Sequence, residues 1–141
     1  IGGLAGASGT TGLGEATINT VDWHITTFDK SAGGTLSVTV RYNETVTVAV
    51  SNPTIIVTNS TNSNHTLTYA SGTGTHELTF TLAIAAANAA TDADDVLSVA
   101  AQSIVLASSS TIKDTSDTPA NAELAISAAQ GTACGTVTVV A

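Results

Sequence analysis

The stretch Thr35-Leu36-Ser37-Val38-Thr39-Val40-Arg41-Tyr42-Asn43-Glu44-Thr45-Val46-Thr47-Val48-Ala49-Val50 decides the fold class of this chain. Leu36, Val38, Val40 and Tyr42 alternate with Ser37, Thr39 and Arg41, and the alternation resumes after Asn43-Glu44 at Val46, Val48 and Val50. A period of two over this length means strand, with one face buried and the other wet. Its β-branched residues lose χ1 freedom in a helix but pack well on a pleated surface. Asn43-Glu44 marks a bulge or a tight turn.

Working outward, the same signal recurs in short runs. Ala16 to Phe28 carries Ile18, Val21, Trp23, Ile25 and Phe28 and reads as a first strand with an irregularity near Asp22. Asp29 to Gly34 then turns the chain. Ser51-Asn52-Pro53 punctuates the end of the long stretch, because proline cannot donate to a central ladder. Thr54 to Thr58 is a short apolar strand, and Asn59 to Asn64 a solvated loop. His65 to Ala70 and His76 to Ile84, joined by Ser71-Gly72-Thr73-Gly74-Thr75, form the clearest hairpin. Ala85 to Ala93 lacks an amphipathic stripe and is expected to be a connection or a single helical turn.

Val96 to Ala107 supplies one or two strands and Ser108 to Thr118 a polar connection. Ala122 to Ala128 alternates through Leu124 and Ile126, and Thr136 to Val140 closes the chain as a strand. Many short strands separated by turn residues indicate an all-β, antiparallel β-sandwich over residues 16–141, which the resemblance given below makes immunoglobulin-like. Trp23, Val38, Val40, Val46, Val48, Leu78, Phe80 and Leu82 are its expected core, with Trp23 as the central packing residue.

Residues 1–15 differ in kind. Ile1 to Gly14 places glycine at 2, 3, 6, 9, 12 and 14, and no charge precedes Glu15. Glycine carries a large ordering entropy, so this reads as a flexible arm, or as one that gains a shape only from a partner. Ile1, Leu4 and Leu13 are its candidate contact residues.

Composition narrows the chemistry. In 141 residues the hydrophobic share is 43%, but aromatics are only 4%, so Val, Ile, Leu and Ala must fill the core. Charged residues are 10%, against about 25% in typical domains, so the polar surface is Thr, Ser and Asn. Three basic and eleven acidic residues give a net charge of -8, which disfavours nucleic acid and anionic membrane as partners. The single cysteine, Cys134, excludes an internal disulfide and reads as a small buried hydrophobe.

The order of segments resembles the immunoglobulin-like repeats of bacterial and phage surface proteins. The residues that carry the likeness are Val38 to Val48, Asn52-Pro53-Thr54-Ile55, Leu67 to Thr75, Leu78 to Ile84, Asp92 to Val96 and Ile112-Lys113-Asp114. They are strand and turn signatures, specific for fold and weak for function. Ala86-Ala87-Asn88 and Thr115 to Pro119 depart from the turns usual in such repeats, so no cation site is carried over there.

Chemistry-bearing constellations are few. Asp92, Asp94 and Asp95, with Asp114 and Asp117, form an acidic set that could offer oxygens to calcium, though the spacing is not that of an EF-hand. Otherwise no cofactor is expected. His24 is expected to face outward, and His65 and His76 to come near each other across the hairpin without the four ligands of a structural zinc site. No Gly-x-Ser-x-Gly elbow or phosphate loop appears, and no enzymatic activity is expected. Asn43, Asn59 and Asn64 each begin an Asn-x-Ser/Thr triplet.

With the resemblance, these readings imply a non-enzymatic structural protein of a bacteriophage virion, a capsid decoration or appendage component. Its partners would be copies of itself or a major capsid or other structural protein. The alternative is a secreted cell-surface adhesion module that binds carbohydrate or a surface, with calcium assisting.

Overall fold

A computed structural model describes residues 16–50, 53–86, 91–107 and 109–140. The described residues are mostly β, with one short helix. The long alternating stretch is a single strand, β3 (Gly34–Ala49); its buried apolar positions Leu36, Val38, Val40, Tyr42 and Val46 are the ones the period of two selects, and Thr39 is buried on the other face. Of the two readings of Asn43-Glu44, the strand takes the bulge. Between Arg41 and Val46, β3 advances while its neighbour β6 (Thr75–Ile84) runs only from Glu77 to Thr75.

β5 (His65–Ser71) and β6 form the expected hairpin, closed by Gly72 and Gly74 at φ 120° and 84°. At Gly72 a Cβ would lie 2.0 Å from the Glu77 carbonyl oxygen, so this turn requires glycine on steric as well as torsional grounds.

Among the described residues nine strands join in one sheet. Its hydrogen-bonded path runs β1 (Ile18–Trp23), β3, β6, β5, β4 (Thr54–Asn59), β7 (Val96–Ser98), β11 (Thr136–Val140) and β2 (Thr27–Asp29). The path begins and ends on strands that only His24 to Thr26 separate in the chain, which forces the sheet to curl until its two ends adjoin. β4 is the hinge of the curl: Ile55 and Val57 pair with β5, and Thr58 and Asn59 pair with β7. Beside it, the Gln102 side chain mimics a ladder rung, accepting from Ile56 N and donating to Ile56 O, both at 2.7 Å.

Several expectations are corrected. The segment from Ala16 to Phe28 is two strands rather than one, and β1 and β2 pair at opposite ends of the sheet. The sheet is not purely antiparallel, because β2 pairs parallel to β11. The polar connection after Ser108 contains a strand, β9 (Thr111–Asp114), which pairs with the far end of β3 and buries Ile112. The run from Ala122 holds only a two-residue strand, β10 (Ala125–Ile126), paired with β8 (Gln102–Ser103). The strands are followed by a helix that periodicity did not announce, α1 (Ala128–Cys134).

α1 is started by a capping box. The Ser127 hydroxyl accepts from Gln130 N, and the Gln130 side chain accepts from Ser127 N. It stops at Gly135, φ 81°. Gly131 is the buried residue of the helix, and a Cβ there would stand 2.2 Å from the Val99 carbonyl oxygen.

The core is aliphatic with Phe80 and Tyr42 enclosed, and Tyr69 meets Phe80 edge to face at 6.2 Å. Val38, Val40, Val46, Leu78 and Phe80 are fully buried. Trp23, Val48 and Leu82 are half-buried and pack on the core's margin, so Trp23 is a flanking residue and not the centre. Residues 1–15, with Ile1, Leu4 and Leu13, lie outside the described residues, as do residues 87–90 of the Ala85 to Ala93 connection.

Candidate functional site

The acidic segment after β6 is where the sequence placed a cation. In the fold it is a hydrogen-bonded junction between two loops. β4 ends at Asn59, and β7 begins just after Asp95, so pairing of these two strands brings the Asn59 to Asn64 loop against Asp92 to Asp95. Asp95 is 1% exposed. Its Oδ2 accepts from Asp92 N at 2.8 Å, Asn62 Nδ2 at 2.9 Å and Asn59 Nδ2 at 3.0 Å, and its Oδ1 accepts from the Thr61 hydroxyl.

Burial alone would raise the Asp95 pKa. The donors from Asp92, Thr61, Asn62 and Asn59 outweigh it and hold the carboxyl well below the usual range. Asp92 is exposed, accepts from Asn62 Nδ2 at 3.0 Å and has Lys30 Nζ at 3.7 Å. Asp94 is exposed at φ 71°, a left-handed conformation that aspartate tolerates. Among the described residues no group of three or more His, Cys, Asp or Glu is arranged to hold a metal ion. Asp114 is likewise a turn-builder, its Oδ1 accepting from Ser116 N, Ser116 Oγ and Ala120 N.

The histidines separate. His65, at the open end of the hairpin, is 6% exposed with Nε2 2.9 Å from the Thr91 hydroxyl. Burial lowers its pKa, and the charge of Asp95 partly opposes this. His76 stands at the other end of the same antiparallel hairpin, beside Glu77, so the two do not meet. His24 is exposed, and its ring nitrogens face the Thr39 and Ser37 hydroxyls rather than a carboxylate.

On the outward side of β1, β3 and β6, Arg41 bridges Asp22 and Glu77. These groups are about 40% exposed, and such pairs contribute roughly 0 to 1 kcal/mol each. Cross-strand neighbours Ser37, Thr81 and Thr68 continue the same surface as hydroxyl rows.

α1 lies along β1. Gln130 Nε2 donates to Ile18 O at 2.8 Å, and the Cys134 thiol meets the Trp23 backbone at the other end of the helix. Burial pushes the Cys134 pKa up to about 11. Trp23 Nε1 is enclosed without a hydrogen-bond partner among the described residues. On its opposite side α1 borders an open groove of about 450 Å³, lined by Val99, Ala101, Ala128, Gly131 and Thr132 among others. No charged residue lines it. The signal that would have found α1 in the sequence is Ser127-x-x-Gln130, a capping box followed by Ala, Gly and Thr.

Asn59 of the first loop triplet is engaged with Asp95, and Asn43 accepts from Thr17 N at 2.9 Å, while Asn64 is exposed in its loop. No helix among the described residues is long and apolar enough to cross a membrane. No protein-family model, no curated protein and no solved structure matches this chain.

Proposed function

We propose that the chain is a non-enzymatic structural protein, an immunoglobulin-like sandwich that acts through contacts between subunits in a larger particle of the phage-virion kind. One observation carries the fold half of this reading. The order β1-β3-β6-β5 followed by β4-β7-β11, within one curled sheet, runs in the same sequence as the ABED and CFG strands of immunoglobulin domains, which supports this reading. β1 and β2 then stand for a first strand that switches from one sheet to the other.

The assembly half rests on the surface and the leader. The outward face of β3, β6 and β5 is hydroxyl-rich and sparsely charged, and the fifteen residues before Ala16 contain no Lys or Arg. Spaced apolar residues on a glycine-rich segment suit contacts that form only against a neighbour. We place the adhesion reading second, because its cation would have to displace the donors that already surround Asp95.

The test is the state of the purified full-length chain across concentration, by multi-angle light scattering and electron microscopy. Concentration-dependent oligomers or regular particles are expected. Monomers alone, up to millimolar concentration and in the presence of candidate capsid lattices, would overturn the reading.

A further inference from the structure

We propose that His65 is a proton-operated latch on the seam where β4 meets β7: charging its ring in mild acid opens the junction between the Asn59 to Asn64 loop and residues 91–95 without unfolding the β3–β6 ladder. The seam is narrow. β4 and β7 share two residue pairs, Thr58 with Ser98 and Asn59 with Leu97, against nine between β3 and β6. Beyond Asn59 polar contacts hold the two sides together. Ser60 N donates to Val96 O at 3.0 Å and Val96 N to Ser60 Oγ at 2.9 Å, and the Asp95 carboxylate accepts from Asn59, Thr61, Asn62 and Asp92.

His65 is the first residue of β5, opposite Val57 of β4. Its ring is 6% exposed, and Nε2 lies 2.9 Å from the hydroxyl of Thr91, which is completely buried. A neutral imidazole suits that enclosure, whereas an imidazolium needs acceptors or water for two N–H groups. Few charged groups face it. The 91–95 segment brings Asp95, whose charge favours the imidazolium but whose oxygens already accept four hydrogen bonds. Asp92 and Asp94 on the same segment are exposed, and Lys30 stands 3.7 Å from Asp92. β4, the Asn59 to Asn64 loop, residues 85–90 and β7 carry no titratable side chain, and His76 and Glu77 of β6 stand at the other end of the hairpin. Burial outweighs the Asp95 charge, so the ring takes up its proton when the junction opens.

The experiment is amide hydrogen exchange of the full chain by NMR at pH 7.5, 6.5 and 5.5, with each rate divided by that of an unstructured peptide at the same pH. The amides of Ser60, Asp92 and Val96 report on the junction, and those of the β3–β6 ladder are the reference. The reporters should be less protected than the reference at every pH, and low urea should change their exchange little, the mark of an opening that exposes little surface. Below the ordinary value of 6.5 they should lose protection by up to about tenfold per pH unit, the slope of one proton bound per opening. His65→Gln should remove that slope. In the parent chain the His65 ring signals should titrate below 6.5, a readout that stands even where the variant fails to fold. Reporters as protected as the ladder, a protection level with pH, or a slope kept in His65→Gln overturns the latch, as does a ring that titrates at or above 6.5. The assembly reading is independent of all these outcomes.

Discussion

Replacing Asp95 tests whether the two loops at the Asn59 end of β4 are held by one carboxylate. Four donors converge on it: Asp92 N, Asn62 Nδ2, Asn59 Nδ2 and the Thr61 hydroxyl. A hydrogen bond to a charged group contributes about 1.5 to 3 kcal/mol. Thr61 is exposed and can turn to water, and Asn62 Nδ2 retains the Asp92 carboxylate. The loss in Asp95→Ala therefore concentrates on the bonds to Asn59 and to Asp92 N, about 3 kcal/mol at the low end of that range. Asp95→Asn can keep its oxygen at the Oδ2 position, and Thr61 can rotate to accept from the new amide, so this variant should lose only about 1 kcal/mol. The assay is urea unfolding at neutral pH, with unchanged m values confirming that the comparison is of stability. The pH dependence adds a sign. A carboxyl held low in the folded state stabilises above its ordinary value of 3.8 and loses that contribution as pH falls below it. That acid limb should shrink in Asp95→Asn. An Asp95→Ala variant within about 0.5 kcal/mol of the parent, the range of ordinary surface changes, would refute the junction.

Other outcomes follow from the same geometry. Gly131→Ala should destabilise by roughly 1 to 3 kcal/mol, read by thermal melting, because its Cβ would meet the Val99 carbonyl oxygen at 2.2 Å and push α1 away from the segment after β7. His65 is buried with a lowered pKa, so the unfolded chain binds its proton more readily. Stability should be complete above the ordinary value of 6.5 and decline as pH drops beneath it, and His65→Gln should flatten the urea midpoint between pH 7.5 and 5.5. With the Cys134 pKa pushed up to about 11, alkylation by iodoacetamide at pH 8 should be far slower in the native chain than in urea.

The strands with strict alternation were legible because one face of each is truly enclosed: β3, β5 and β6 read directly from Leu36 to Ile84. Short elements were not. The β9 segment reads as a polar connection because Thr111, Lys113 and Asp114 surround Ile112, and only pairing with β3 makes that one side chain a core residue. α1 carries Ala, Gly and Thr, with no apolar stripe, so its sole local sign was the capping box at Ser127. The division of β1 from β2 is a tertiary matter, since nothing within Trp23-His24-Ile25 states that the next strand joins β11. At the acidic segment, residue type suggested a ligand set, but carboxylates beside Asn and Thr in a loop serve equally as acceptors for the loop itself. The geometry selects the second role for Asp95.

The parallel seam between Phe28 and Val139 ties together positions far apart in the sequence. Contacts between residues so distant in sequence close slowly, because loop entropy must be surrendered before they form. On the ribosome, β2 has no partner until β11 has been made, and until then the β7 edge that β11 covers stays bare. A nascent or truncated chain ending before Thr136 would thus present two open strand margins at once, the condition under which β-rich chains associate out of register.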